Sequence, residues 1–198
     1  GLAEATLLVS ATPSLRGPIV RSISAEALAK MEVAPGDVPV VGCGAPALDT
    51  EVRIVDAETG VTLPPDQVGE IEVKSPGIAA GYWRRPVESA ATFVDGWLKT
   101  GDLGFFRDGE LHITGRKTDM FISGGFNVYP AELERVISSH TGGEQVAVVG
   151  APDPEWGERV VAVIIARDGV SPAELEPQLR DLCREQLGGY KQPRAFEF

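Results

Sequence analysis

Leu98-Lys99-Thr100-Gly101-Asp102-Leu103-Gly104 and, further along, Thr114-Gly115-Arg116-Lys117-Thr118-Asp119 govern the reading of the whole chain. Each segment sets a charged side chain beside glycine, and residues 111–114 between them read as a strand. An Asp held on a tight glycine turn accepts two hydrogen bonds from a sugar diol. An Arg at the end of the next strand reaches a ribose hydroxyl or a phosphate. Asp102 and Arg116 together sketch half of a nucleotide site. They also fit ordinary turns beside glycine, and spacing alone leaves both readings open.

Outward from these segments, the chain falls into two styles. Strands are expected over 52–55, 70–74 and 111–114, with Gly60 and Pro64-Pro65-Asp66 turning the first into the second. Residues 1–45 combine a β-like run at 6–9 with a short helix at 25–31. Pro86 opens one or two helical turns over 86–93. Short strands with frequent turn signals predict an antiparallel sheet or small barrel. After Arg116 the pattern becomes β/α. Pro130 suits the first position of a helix whose Leu133, Val136 and Ile137 recur at helical spacing. Residues 146–149 and 160–165 are β-branched runs of strand length. Ser171-Pro172-Ala173-Glu174 reads as a capping box, followed by Leu175, Leu179, Leu182 and Cys183 on one face, and Gly188-Gly189 ends the helix. The expected class is α+β: an antiparallel β-barrel-like subdomain, then a small α+β domain.

The 198 residues carry 29 acidic against 18 basic side chains, a formal charge of −11. No Lys/Arg cluster offers a track for a phosphate backbone, so nucleic acid is not an expected partner. A single nucleotide is a different matter, because glycine turns and one or two basic groups decide its binding. Cys43 and Cys183 lack metal-ligand spacing and suit a reduced, cytoplasmic protein. Cys183 reads as core. His112 alternates within a strand and His140 closes a helix, so neither is assigned chemistry. No apolar run approaches membrane-spanning length.

A wider set of motifs gives the two opening segments their context. Gly1-Leu2-Ala3-Glu4-Ala5-Thr6, Gly69-Glu70-Ile71, Gly81-Tyr82-Trp83, Thr100-Gly101-Asp102, Gly115-Arg116 and Ser123-Gly124-Gly125-Phe126-Asn127-Val128-Tyr129-Pro130-Ala131-Glu132-Leu133-Glu134 follow in that order. In this order they resemble the last third of an adenylate-forming (AMP-binding) enzyme. That superfamily includes acyl-CoA synthetases, fatty acyl-AMP ligases, peptide-synthetase adenylation domains and luciferases. The resemblance implies that residues 1–116 are the C-terminal part of a large adenylation domain. Residues 117–198 would be the small C-terminal domain, and a phosphate loop would lie upstream of Gly1. The family's catalytic Lys is expected beyond Phe198, so the resemblance assigns no catalytic residue to the chain itself.

The same resemblance implies roles. Glu4 would bind Mg2+ at the ATP phosphates, with the Thr6 hydroxyl nearby. Asp102 would hold the ribose hydroxyls and Arg116 assist at ribose or phosphate. Lys117, Thr118 and Asp119 fall at a hinge, and Ser123, Gly124 and Gly125 would face the tunnel of an incoming thiol. Ala3 stands where many relatives have Thr, and Thr118 where they have Asp or Lys. The implied reaction activates a fatty-acid-class carboxylate as acyl-AMP and passes it to CoA. The region before residue 55 is similar to fatty acyl-AMP ligases, which load the phosphopantetheine of an acyl carrier protein. A non-catalytic fragment or interaction module retaining the fold stays open beside both.

Overall fold

The computed structural model describes residues 1–198, which part into two units at the Lys117–Thr118 junction. In the first, a 3-10 turn (Ala3–Ala5) precedes β1 (Ser10–Ala11), β2 (Val20–Ile23), α1 (Ala25–Ala29), β3 (Val38–Val41) and β4 (Ala45–Pro46). Then come β5 (Glu51–Val55), β6 (Gly69–Lys74), α2 (Pro86–Thr92), β7 (Phe93–Val94), β8 (Trp97–Arg107) and β9 (Glu110–Arg116). The main sheet runs β5-β6-β8-β7, with β9 also on β8, and every pairing in it is antiparallel. β1 pairs β4, and β2 pairs β3, as separate two-stranded pieces.

Ile54, Ile71, Val73, Leu98 and Leu111 form the core beneath that sheet, joined by Ala5 and Val9. β6 is buried on both faces, so its Glu70 and Glu72 need cationic partners. Arg53 supplies one to Glu72, with 2.6 Å between nitrogen and oxygen, and lays its guanidinium over Trp97. Register shifts between Glu70 and Glu72 and between Leu103 and Gly104 mark bulges, which bend and curl an antiparallel sheet.

Three expectations change here. Residues 6–9 do not form a strand: Leu2 and Leu7 pair and exchange main-chain hydrogen bonds, closing the 3-10 turn between them. Asp102 does not sit on a hairpin turn either. Gly101, at φ +71°, is embedded in the eleven-residue strand β8, so a bulge does the work assigned to a turn. α1 ends at Ala29, short of the expected 31, under a Ser24 cap whose hydroxyl accepts from the Ala27 N–H at 3.3 Å.

The second unit contains β10 (Phe121–Ser123), β11 (Phe126–Val128), α3 (Pro130–Ser138), β12 (Gly143–Asp153), β13 (Gly157–Ala166), α4 (Pro172–Gln186), a 3-10 turn (Gly189–Lys191) and β14 (Ala195–Glu197). Its sheet runs β11-β10-β13-β12, and β14 joins β13 in parallel. Leu133, Val136 and Ile137 of α3 and Leu175, Leu179 and Cys183 of α4 pack with Val148, Val160, Ala162 and Ile164 of the strands. Full burial of each large aliphatic side chain contributes about 1.5–3 kcal/mol. Burial also pushes the Cys183 thiol up to about 11, as suits a packed residue. The capping box does not form: Ser171 makes no side-chain cap. Its carbonyl instead accepts the Glu174 and Leu175 N–H groups, with Pro172 at the first helical position.

Candidate functional site

Asp102 and Arg116 are register partners across β8 and β9. Arg116 Nε lies 3.0 Å from Asp102 Oδ1, and the arginine side chain is far more exposed than the aspartate, 58% against 17%. Thr100 fixes the bulge beneath them: its hydroxyl donates to the Ile71 carbonyl at 2.7 Å and accepts the Asp102 N–H at 3.0 Å. Gly101 donates its N–H to Glu70 Oε1 at 3.3 Å, while its carbonyl accepts the Lys117 N–H at 2.8 Å. The carboxylate of Asp102 is therefore aimed by main-chain and hydroxyl contacts on both sides.

A recess of about 290 Å³ opens beside this bulge, lined by Asp102, Thr100, Gly1, Leu2, Cys43 and Ile113 among others. Its lining mixes aliphatic side chains with polar groups, Asp102 and Thr100 among them, a make-up that suits a small molecule. Arg116, Glu4 and Thr6 are not part of that lining.

Glu4 and Thr6 are built into the 3-10 turn of the first unit. Thr6 and Leu7 both hold left-handed backbones, at φ +49° and +79°. Strain of this kind costs on the order of 1–3 kcal/mol per residue and persists where the surroundings over-determine it. Here the Thr6 hydroxyl donates to the Gly77 carbonyl at 2.5 Å and the Glu4 carbonyl accepts the Ala79 N–H at 2.8 Å. Tyr82 donates its phenol to Glu4 Oε1 at 2.9 Å, and burial together with that carboxylate raises the phenol above its ordinary value. No three acidic, His or Cys side chains gather into a preformed cage. A Mg2+ ion that travels with phosphates needs only one or two carboxylates, so Glu4 fits that ion.

Of the three expected hinge residues, Lys117 is firmly tied to the first unit. Its ammonium lies 3.1 Å from Glu70 Oε2 and 3.0 Å from the Ala57 carbonyl. Thr118 and Asp119 begin the second unit, and the Thr118 hydroxyl donates to Asp119 Oδ1 at 2.9 Å. Ser123, Gly124 and Gly125 lie in the second unit. The two glycines make the turn between β10 and β11, with φ +58° and +84°, a pair of left-handed residues of the sort tight hairpins require. Ser123 is buried and both glycines are exposed. Phe198 directly follows β14 and is partly exposed to solvent.

Several neighbours hold roles that their motifs do not announce. Thr100 and Glu70 stand inside quoted motifs without an assigned role, and Ile113 reads from the sequence as a plain strand apolar. Tyr82 is the nearest to legible, since its motif is among those singled out. Trp156 carries no local signal at all. Its carbonyl accepts the Gly124 N–H at 3.0 Å across a long sequence separation.

The family model for AMP-binding enzymes matches residues 1–83, and that for the AMP-binding enzyme C-terminal domain matches residues 132–198. The chain is 40% identical over 159 residues to the long-chain-fatty-acid–CoA ligase of Bacillus subtilis, covering 80% of this chain and 28% of that protein. It is 43% identical over 157 residues to the medium/long-chain-fatty-acid–CoA ligase FadD8 of Mycobacterium tuberculosis, covering 79% and 27%. Among solved structures, o-succinylbenzoate CoA synthetase (MenE) of Bacillus subtilis, in complex with its acyl-adenylate intermediate, superposes with a TM-score of 0.71. That match is 34% identical and covers 91% of this chain and 37% of MenE. The chain thus spans little more than a quarter of the curated relatives' length.

Proposed function

Because the chain belongs to the adenylate-forming, AMP-binding enzyme superfamily, we propose that it is part of an ATP-dependent ligase that joins a fatty-acid-class carboxylate to CoA through an acyl-AMP intermediate. The observation that carries this reading is Asp102, held on a bulge locked by Thr100, Gly101 and Lys117 and lining a recess of mixed aliphatic and polar walls. The acid class rests on the two curated relatives, both named as fatty-acid–CoA ligases.

In the first half-reaction a carboxylate oxygen attacks the α-phosphorus of ATP and pyrophosphate leaves. Two anions must meet, so orientation and charge neutralisation carry most of the catalysis. Asp102 accepts the ribose 2′- and 3′-hydroxyl hydrogens, replacing water with two charge-assisted hydrogen bonds. Arg116, exposed and already beside Asp102, holds the sugar or a phosphate oxygen. Glu4 would hold Mg2+, which neutralises phosphate charge when bound, and the Thr6 hydroxyl supplies polarity beside it.

In the second half-reaction the CoA sulfur attacks the acyl carbon and AMP leaves. The exposed Gly124-Gly125 turn lets a narrow pantetheine arm run against bare backbone, with Ser123 anchoring the strand below. Residues 1–116 serve as the end of the adenylation domain, Lys117 stays with them, and the small domain takes up the residues that follow. Lys117 is the fixed post, so the hinge motion falls on Thr118 and Asp119. No helix in the chain is long and apolar enough to cross a membrane.

The test is mass spectrometry of products from the full-length protein given ATP, Mg2+ and a panel of fatty acids, with and without CoA. Acyl-CoA is the expected product. Acyl-adenylate that persists despite CoA redirects the acceptor to a carrier protein. Absence of acid-dependent pyrophosphate–ATP exchange overturns the adenylation reading.

A further inference from the structure

The short stretch from Tyr190 to Arg194 meets β11, α3, β13 and the turn between β12 and β13 in the second unit. Tyr190 stacks on Phe126 of β11, with ring centroids 4.5 Å apart. Lys191, fully buried, pairs at 2.5 Å with Glu132 in the first turn of α3. Arg194 donates its N–H to the Val160 carbonyl at 2.8 Å and lays its guanidinium 4.3 Å from the centre of the Trp156 ring. That is well inside the ~6 Å reach of a cation–π contact.

Trp156 is itself rigidly placed. Asp153 Oδ1 accepts the N–H groups of Glu155 and Trp156 at 2.9 and 3.0 Å, which fixes the turn between β12 and β13. From there the Trp156 carbonyl takes the Gly124 N–H, and Ser123 pairs with Gly157 in the ladder. The indole also covers Gly124 closely: a Cβ built there would stand 2.7 Å from Cε3 and 2.8 Å from Cζ3. Gly125 is the contrast, with nothing within 4 Å of the same position. One glycine is backed by a wall and the next is open.

We propose that Trp156 is a positioning residue for thiol transfer, setting the Gly124–Gly125 turn from the walled side, and that Arg194 sets the plane of the indole. The proposal rests on the reading of this turn as the thiol-facing segment. It assigns the open side at Gly125 to the arriving arm. Arg194 then acts on the reaction only through Trp156.

The experiment separates the two half-reactions in the full-length protein. Pyrophosphate–ATP exchange reports adenylation, and single-turnover transfer from preformed acyl-adenylate over a range of CoA concentrations reports the second step. Trp156→Ala is expected to lower the saturating transfer rate about tenfold while exchange stays within about twofold, with Trp156→Phe restoring most of the loss. Arg194→Gln, at an exposed position, should give a smaller loss of the same selectivity. It should also speed hydrogen exchange of the Gly124 amide, a readout that does not depend on turnover. Parallel loss in both half-reactions, or unchanged transfer in Trp156→Ala and Arg194→Gln, overturns the proposal. Gly125→Ala distinguishes the two levels. If it leaves transfer untouched, the thiol-facing reading of the turn fails. If it slows transfer while the Trp156 and Arg194 variants do not, the positioning role alone is lost.

Discussion

Asp102 and Arg116 are each other's partner, guanidinium Nε to carboxylate Oδ1 at 3.0 Å across the β8–β9 ladder. The arginine is mostly solvent-exposed, so the pair contributes little stability, under about 1 kcal/mol. Its value lies in direction: the carboxylate is aimed and largely shielded from water before a ligand arrives.

Asp102→Asn should therefore separate binding from folding. The denaturation free energy is expected to move by less than about 1 kcal/mol. The ATP KM in pyrophosphate exchange should rise roughly 10- to 100-fold, because hydrogen bonds to a charged acceptor are worth about 1.5–3 kcal/mol. An unchanged KM would remove Asp102 from the ribose.

Lys191 offers the opposite case, a cation with no exposure at all. Lys191→Met leaves the Glu132 carboxylate buried without its ammonium, and breaking such pairs costs about 3–5 kcal/mol. Urea denaturation followed in the second unit should show that loss. Combining it with Glu132→Leu should recover a substantial part, since two apolar side chains avoid the stranded charge. A double variant no better than the single one would contradict the pairing.

His112 predicts a pH dependence of stability. It is completely buried, stacked on Phe105 with 4.8 Å between ring centres, and burial followed by the charge of Arg21 lowers its pKa from 6.5. Glu110 pulls the other way and Arg107 adds to the depression. The unfolded chain then binds this proton more readily than the folded one. Stability from His112 is full above pH 6.5 and is lost as pH falls through the folded value. Chemical denaturation from pH 7.5 downward should show the decline beginning near about 6.5, and His112→Phe should flatten it. Identical slopes in the two proteins would exclude the histidine as the source.

The two thiols should differ in kind. Cys183 is buried with its pKa at about 11, whereas Cys43 is half-exposed and lines the recess beside Asp102. At about pH 8 a disulfide reagent should modify Cys43 quickly and Cys183 only at the rate of unfolding. Acyl-adenylate or ATP bound in the recess should slow the first reaction and leave the second alone. Two fast thiols in the native protein would contradict the packing of α4.

What the residues announce in advance depends on how local the cause is. Pro130 and Pro172 announce α3 and α4 because a missing N–H costs nothing at the first helical position. Gly101 and Gly104 mislead, since glycine signals both a turn and a bulge. Only the ladder shows that Gly104 is needed for close approach, its missing Cβ being 2.2 Å from the His112 carbonyl. Ser171 satisfies a local rule for a side-chain cap, yet the main chain makes the bonds instead. Asp102 and Arg116 stand out in their motifs, and the fold brings them together. Trp156 is illegible because its contact with Gly124 is made entirely by tertiary pairing of β10 with β13.

The parallel pairing of β14 with β13 has a consequence for how the protein is born. β12 covers one edge of β13 along its full length, but the other edge is met by Ser123 at Gly157 and by Ala195–Glu197 at Val161–Val163. During synthesis, the apolar run of β13 leaves the ribosome well before the strand that will close its second edge. Until residues 195–197 follow, that edge is an open template for a neighbouring nascent chain. The second unit therefore cannot fold to completion from its N-terminal end forward, and a ribosome stalled before Ala195 exposes a surface suited to chaperone capture.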